Sequence, residues 1–256
     1  AVVVRVAYLQ TMRQDYLAEQ ANEQTSGAIE MSASRGTIYD RNGVEMAVTV
    51  EVPSLYVRPH LLEHPKRAAA ELAEIVPSDE QDLRAELTSD SPFVWVARQT
   101  TPEVAESAKS LELRGVGTIR EHKRYYPLGS QAGQLLGFVG VDDQGLEGIE
   151  RSFDDQLSGG SYTLEATRDA YGRTIMSRSV PDLTHLRGNS VRLTIDERIQ
   201  QVAERAVRRQ VDKFDAAGGY AVVMDVHTGE LLALSTTPRF DPNTFQEYES
   251  SAWRLR

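Results

Sequence analysis

The nine residues Arg35-Gly36-Thr37-Ile38-Tyr39-Asp40-Arg41-Asn42-Gly43 constrain this chain more than any other stretch. They read R-G-x-x-x-D-R-x-G: a cation and a glycine open a short β-prone run, and an acid–cation pair leads into a turn. Asn-Gly favours the positive φ angles of two-residue hairpins, so a hairpin about Asn42-Gly43 is expected whatever the protein does. Alone, Arg35, Asp40 and Arg41 could be three solvated charges, since an exposed ion pair contributes about 0–1 kcal/mol.

Three further patterns follow in order: Arg124-Tyr125-Tyr126-Pro127-Leu128-Gly129 (R-x-x-P-x-G), Gly145-Leu146-Glu147-Gly148-Ile149-Glu150 (G-x-x-G-x-E) and Asp169-Ala170-Tyr171-Gly172 (D-x-x-G). Each says little by itself, because its glycines can be ordinary turn glycines. The ordered series is specific. Guanidinium groups make planar, bidentate contacts with carboxylates. Arg35, Arg41 and Arg124 facing Asp40, Glu147, Glu150 or Asp169 would therefore pin segments that lie far apart in the chain. Which arginine meets which acid is left open, and the role inferred is architectural rather than catalytic.

The 256 residues allow one large or two ordinary domains, and 40% hydrophobic with 26% charged residues is globular composition. A formal net charge of −10 argues against broad nucleic-acid binding, which needs a basic face. No cysteine is present, so disulfides and thiolate zinc sites are excluded. The opening AVVVRVA is too short to span a bilayer, which takes about 20 apolar residues. It is expected either to lie inside or just after a membrane anchor, or to begin an ordinary buried helix.

A helical stripe runs from Val2 to Asn22, and β texture from Met31 to Val57, with Val44–Val50 and Leu55–Val57 as separate short strands. Helices are expected over Lys66–Val76, from a Ser78/Gln81 capping box to about Leu87, and from Thr101-Pro102 to Leu111. Phe93–Ala97 reads as a strand between them. Leu146, Ile149, Phe153 and Leu157 predict one amphipathic helix over Gly145–Leu157. Strands are expected at Tyr162–Thr167 and Arg173–Met176, around the Asp169–Gly172 turn. A second unit starts near Asn189 with a Thr194/Glu197 capping box, a helix to Phe214, and a hairpin about His227-Thr228-Gly229.

The ordered motifs resemble the membrane-proximal module of class B penicillin-binding proteins, the transpeptidases that cross-link peptidoglycan. Leu193-Thr194-Ile195-Asp196, Val223–Leu234 and Phe240-Asp241-Pro242-Asn243 resemble the start of their transpeptidase domain. Glu51–Ser54 and Arg120–Pro127 are closer to the cell-division branch. The resemblance implies an α+β fold: a stalk helix over residues 1–28, an elongated non-catalytic pedestal of the dimerisation type over 29–188, and the incomplete start of an α/β transpeptidase domain over 189–256. It also implies an extracytoplasmic location at the septum behind a single-pass anchor, with peptidoglycan as substrate and no cofactor. Its implied partners are a SEDS-type glycosyltransferase and other division-machinery membrane proteins, and it allows a homodimer.

Enzymes of this family use S-x-x-K, S-x-N and K-T-G elements. None occurs here, so no catalytic residue is expected in this chain, which should be inactive by itself. His227-Thr228-Gly229 imitates K-T-G but sits between two apolar runs, where a plain turn fits better. A rival reading comes from His60-Leu61-Leu62-Glu63-His64, the H-x-x-E-H pattern of a zinc metalloprotease, in which His60 and His64 would hold zinc and Glu63 would act as base. Pro59 and Pro65 bracket it, so two solvent-facing histidines in a connection are the expected state. Asp142-Asp143-Gln144-Gly145 lacks calcium-loop spacing.

Overall fold

The structure, a computed structural model, describes residues 26–89, 91–168, 174–176 and 186–249. The expected helix over Val2–Asn22, Asp169, Gly172 and Arg173 fall outside them, while Ser26, Gly27 and Ala28 at the end of the expected stalk lie in a strand. Strand β1 (Ser26–Ser32) is followed by β2 (Ile38–Tyr39), β3 (Glu45–Val57), a 3-10 turn (Pro59–Leu61), α1 (Pro65–Ala73), α2 (Glu80–Leu87), β4 (Val94–Ala97) and α3 (Pro102–Ser110). Then come β5 (Val116–Tyr125), α4 (Gly133–Leu136), α5 (Gly148–Ser152), α6 (Asp154–Leu157), β6 (Ser161–Arg168) and β7 (Thr174–Met176). The chain continues through β8 (Val191–Arg192), α7 (Glu197–Phe214), β9 (Gly219–Met224), β10 (Leu231–Thr237) and a second 3-10 segment (Pro242–Glu247). No helix among the described residues is long and apolar enough to cross a membrane.

Two compact units result, each assembled from two stretches of sequence: residues 1–34 with 159–188, and residues 35–158 with 189–256. This division runs across the stretches 29–188 and 189–256. In the first unit, β6 pairs antiparallel with β1 on one side and β7 on the other.

The second unit is built on a five-stranded sheet in which β3 is central. Residues Val48–Val57 pair with β5, Leu55–Val57 also pair with β4, and β2 pairs with the start of β3. β8 joins β2 in parallel, so residues from both sides of the first unit's insertion share one sheet. The two pieces expected for β3 are one strand, because Pro53 costs it no ladder bond with β5. The Pro53 carbonyl accepts from Thr100 N–H at 2.9 Å, on the side away from β5. A residue's N–H and C=O leave an extended strand on the same side, so the missing donor lies on that side too.

The helices form largely as their sequence dictates. Pro65 and Pro102 sit in first turns, and the Thr101 hydroxyl accepts from Val104 N–H. Two caps differ from expectation: Asp79, not Ser78, accepts from Gln81 N–H, and Asp196, not Thr194, accepts from Arg198 and Ile199 N–H. Thr194 instead donates to Leu231 O at 2.7 Å, tying the chain to β10. The single helix expected over Gly145–Leu157 is two short ones, interrupted at Phe153 (φ −114°, ψ 24°).

Two cores fill the second unit. One seals α1, α2 and α3 against the β3–β4–β5 sheet through Leu55, Val57, Leu72, Leu83, Leu87 and Val96. The other draws Ile38, Met46, Leu136, Phe138, Ile195 and Phe240 together from both stretches of sequence. Phe138 stacks on Phe245 at 4.2 Å and meets Phe240 edge-on at 6.0 Å. Burial of this kind contributes about 1.5–3 kcal/mol per large side chain, so Ile195 and Phe240 help hold residues 189–249 to the rest of the unit.

Candidate functional site

The first three motifs converge on one buried carboxylate. Glu150 is fully buried, and its two oxygens accept separately from Arg35 Nε and Arg124 Nε, each at 2.7 Å. Arg35 also donates to Glu150 O (2.7 Å) and Asp143 O (3.1 Å) and pairs with Asp154 at 2.7 Å. Arg124 Nη1 donates to Gly36 O (2.7 Å) and Thr49 Oγ1 (3.0 Å), while its Nη2 is buried without a partner. Burial disfavours the Arg35 cation, but Glu150 and Asp154 outweigh that effect and raise its pKa above the usual guanidinium range. Burial, aided by the Glu150 charge, pushes the neighbouring Tyr126 phenol well up.

Glycine is required around this carboxylate. A Cβ on Gly145 would lie 2.2 Å from Glu150 O, and one on Gly148 (φ +63°) would lie 2.5 Å from Gly137 N. The G-x-x-G-x-E spacing thus lets Gly145 and Gly148 pack directly against the backbone of Glu150 and of Gly137. Glu147 stands at the N-cap position of α5.

Asp40 makes a second node. Its carboxylate accepts from the N–H groups of Asn42 (2.7 Å), Val44 (2.8 Å) and Glu197 (3.2 Å). The turn is therefore built on the Asp40 side chain, with positive φ at Gly43 and not at Asn42 as the two-residue hairpin expected. Asn42 Nδ2 bridges Asp40 (3.2 Å) and Asp196 (3.0 Å), so the turn rests on the N-terminus of α7. Burial alone would raise the Asp40 pKa, yet these donors hold it below the ordinary carboxylate range; the Asn42 amide does the same for Asp196. Arg41 reaches Glu230 at 3.3 Å, half exposed, and joins neither buried node.

The R-x-x-P-x-G motif ends in a turn with Pro127 at its second position and Gly129 N–H donating to Tyr126 O at 3.0 Å. Asn243 then binds Tyr126 as a strand would: its Oδ1 accepts from Tyr126 N–H and its Nδ2 donates to Tyr126 O, both at 3.0 Å. Next to it, buried Glu204 accepts from Ala132 N–H (2.7 Å), Gln200 (2.8 Å) and Arg239 (2.7 Å). Glu204 went unnoticed in the sequence, although its signal is there: a carboxylate on the apolar stripe of Ala203 and Val207 must find partners.

The remaining candidates lie apart. His227-Thr228-Gly229 forms the exposed β9–β10 turn, closed by Asp225 Oδ1 on His227 N–H at 2.8 Å. His60 belongs to the 3-10 turn, whereas His64 precedes α1, and both are exposed with Glu63. The zinc reading fails on that geometry: two ligands on one helical face need one helix, and Pro59 and Pro65 divide it. Among the described residues no group of three or more His, Asp or Glu side chains could hold a metal ion.

Known proteins resemble this chain over most of its length. Residues 30–193 match the penicillin-binding protein dimerisation domain. The chain is 35% identical to the probable peptidoglycan D,D-transpeptidase PenA of Neisseria meningitidis, over all of this chain and 45% of the relative. It is 34% identical to peptidoglycan D,D-transpeptidase FtsI of Escherichia coli, over 98% of this chain and 44% of the relative. Against stage V sporulation protein D of Bacillus subtilis the identity is 30%, over 97% and 39%. The chain thus spans less than half the length of these relatives. Among solved structures, a peptidoglycan synthetase from Bifidobacterium adolescentis superposes with a TM-score of 0.57 at 26% identity, covering 86% of this chain and 46% of that one. Penicillin-binding protein 2X of Streptococcus thermophilus shares the fold at 0.58 and 22% identity, over 88% of this chain and 37% of that one. An α+β fold, a buried arginine–glutamate tie built from spaced motifs, and a dimerisation domain over most of its length place the chain in the class B penicillin-binding proteins, as an N-terminal portion.

Proposed function

We propose that this chain is the pedestal and the opening segment of the catalytic domain of a peptidoglycan D,D-transpeptidase that acts in septal wall synthesis. Residues 1–28 serve as the membrane-proximal stalk, 29–188 as the non-catalytic pedestal and 189–256 as the start of the transpeptidase domain. The names of the transpeptidase relatives support the reaction class. In the longer protein a serine attacks the stem peptide, D-alanine leaves, and the acyl group passes to the amine of a neighbouring stem. The pedestal holds the catalytic domain at the extracytoplasmic face of the membrane and presents a surface to a SEDS-type glycosyltransferase and other division proteins.

The observation that carries this reading is the seating of residues 189–249 on and beside the motif segments. Asp40 accepts from Glu197 N–H, Tyr126 pairs with Asn243, and Glu204 caps Ala132 N–H. The motif residues Arg35, Gly36, Asp40, Arg41, Gly43, Arg124, Pro127, Gly129, Gly145, Gly148 and Glu150 act as the frame of that seat and touch no reacting atom, while Asp169 and Gly172 lie outside the described residues.

A fluorescent penicillin tests the assignment. The chain of residues 1–256 should take no covalent label, because it contains no S-x-x-K serine, whereas the longer protein should label at one serine. Label on the short chain, or none on the folded longer one, overturns the reading.

A further inference from the structure

We propose that the solvent face of α7 is a docking surface for an acidic, helical segment of a partner protein. Arg198, Arg205, Arg208, Arg209 and Lys213 are all exposed on this helix. At 3.6 residues per turn they spread over roughly 140° of its circumference, with Asp212 the one carboxylate between them. The opposite face is spent: Ala203 and Val207 are buried, and Gln200 and Glu204 bond β10, Ala132 and Arg239.

The five cations stand without acidic partners among the described residues. Arg205 donates only to Gln201, and Lys213 lies over the Phe214 ring at 5.2 Å. Arg205 neighbours Arg208 and Arg209 at three and four residues, a spacing at which like charges repel and weaken an isolated helix. A chain of net charge −10 has acids to spare, yet places only Asp212 here. The arrangement is repulsive in the free protein and is relieved by an opposite charge.

Chemistry selects the occupant. Val202, 57% exposed, lies with Arg205, Arg208 and Arg209 around a shallow depression. A guanidinium ring around an aliphatic floor matches a polypeptide that offers carboxylates about an apolar side chain, better than a uniform polyanion. Arg198, Arg205 and Arg209 rise along the helix by about 10 and then about 6 Å, a spacing that acids seven and four residues apart on a second helix reproduce.

The test uses the longer protein and three probes: a synthetic helix with glutamates at those spacings around a leucine, a scrambled peptide of equal charge, and phosphatidylglycerol vesicles. Anisotropy should show binding of the ordered peptide, weakened at least about tenfold in an R205E/R208E/R209E variant and by a rise in salt past the point where surface charges are screened. The variant's melting temperature should match the parent's, because all three side chains are exposed. Equal binding of the scrambled peptide, binding to vesicles alone, or no binding of the ordered peptide overturns the proposal. So does protection of these arginines from phenylglyoxal in the isolated longer protein, which would mean that its own chain covers the face.

Discussion

Glu150 shows how one side chain can serve three distant motifs. Its oxygens are divided between Arg35 and Arg124, whose Cα atoms belong to segments more than eighty residues apart in sequence. Taking away one member of a buried ion cluster leaves its partners charged and desolvated, at a cost of about 3–5 kcal/mol. Glu150→Gln should therefore lower the unfolding free energy measured in urea by that much, while Arg120→Ala, which breaks the exposed Arg120–Glu51 pair, should change it by less than about 0.5 kcal/mol. Asp40 and Asp196 make stability depend on acid. Their folded pKa values lie below the unfolded ones, so in that window the unfolded state binds more protons and stability rises with pH. The contribution is complete above the ordinary carboxylate pKa of about 4 and is lost as pH falls through the depressed values. An acid titration of unfolding should show that loss, reduced in Asp40→Asn. At this scale the sequence offered the right residue types but four candidate acids for three arginines, because pairing is decided by where the backbone brings them.

Elements were legible wherever local chemistry fixed them. The helices after Pro65 and Pro102 follow from a proline in the first turn and an apolar stripe behind it. Strand β5 was not legible: Arg120, Glu121, His122, Lys123 and Arg124 run consecutively and hide its alternation, and only pairing with ten residues of β3 shows it to be a strand. The β3 partner was obscured by Pro53, whose missing donor faces away from that ladder. The cap of α2 shows a finer limit, since Ser78 and Asp79 are both good cap residues one position apart. Asp79→Ala should lower stability by about 1 kcal/mol in thermal or urea melts, and Ser78→Ala should leave it nearly unchanged. Gly148→Ala meets both a positive φ and a 2.5 Å approach to Gly137 N, so a cost of at least about 1–3 kcal/mol is expected from the same measurement.

The larger unit is assembled from sequence on both sides of an insertion, and its core depends on that. Ile195 and Phe240 are buried against Ile38, Met46 and Phe138. A chain ended at residue 188 would expose that surface, so it should lose cooperative unfolding or aggregate, as light scattering and melting curves would show. Asn243→Ala is a milder probe of the same seam: Tyr126 N–H loses its acceptor, which costs about 1–3 kcal/mol in urea unfolding. By itself the sequence determined the family, through motif order, and most helices, through caps, prolines and apolar stripes, because those signals are local. Only the tertiary structure decided that Glu150 receives both arginines, and that Asp40 and Asn243 seat the later segment. Each of those depends on contacts between residues far apart in the chain, and no local pattern carries that information.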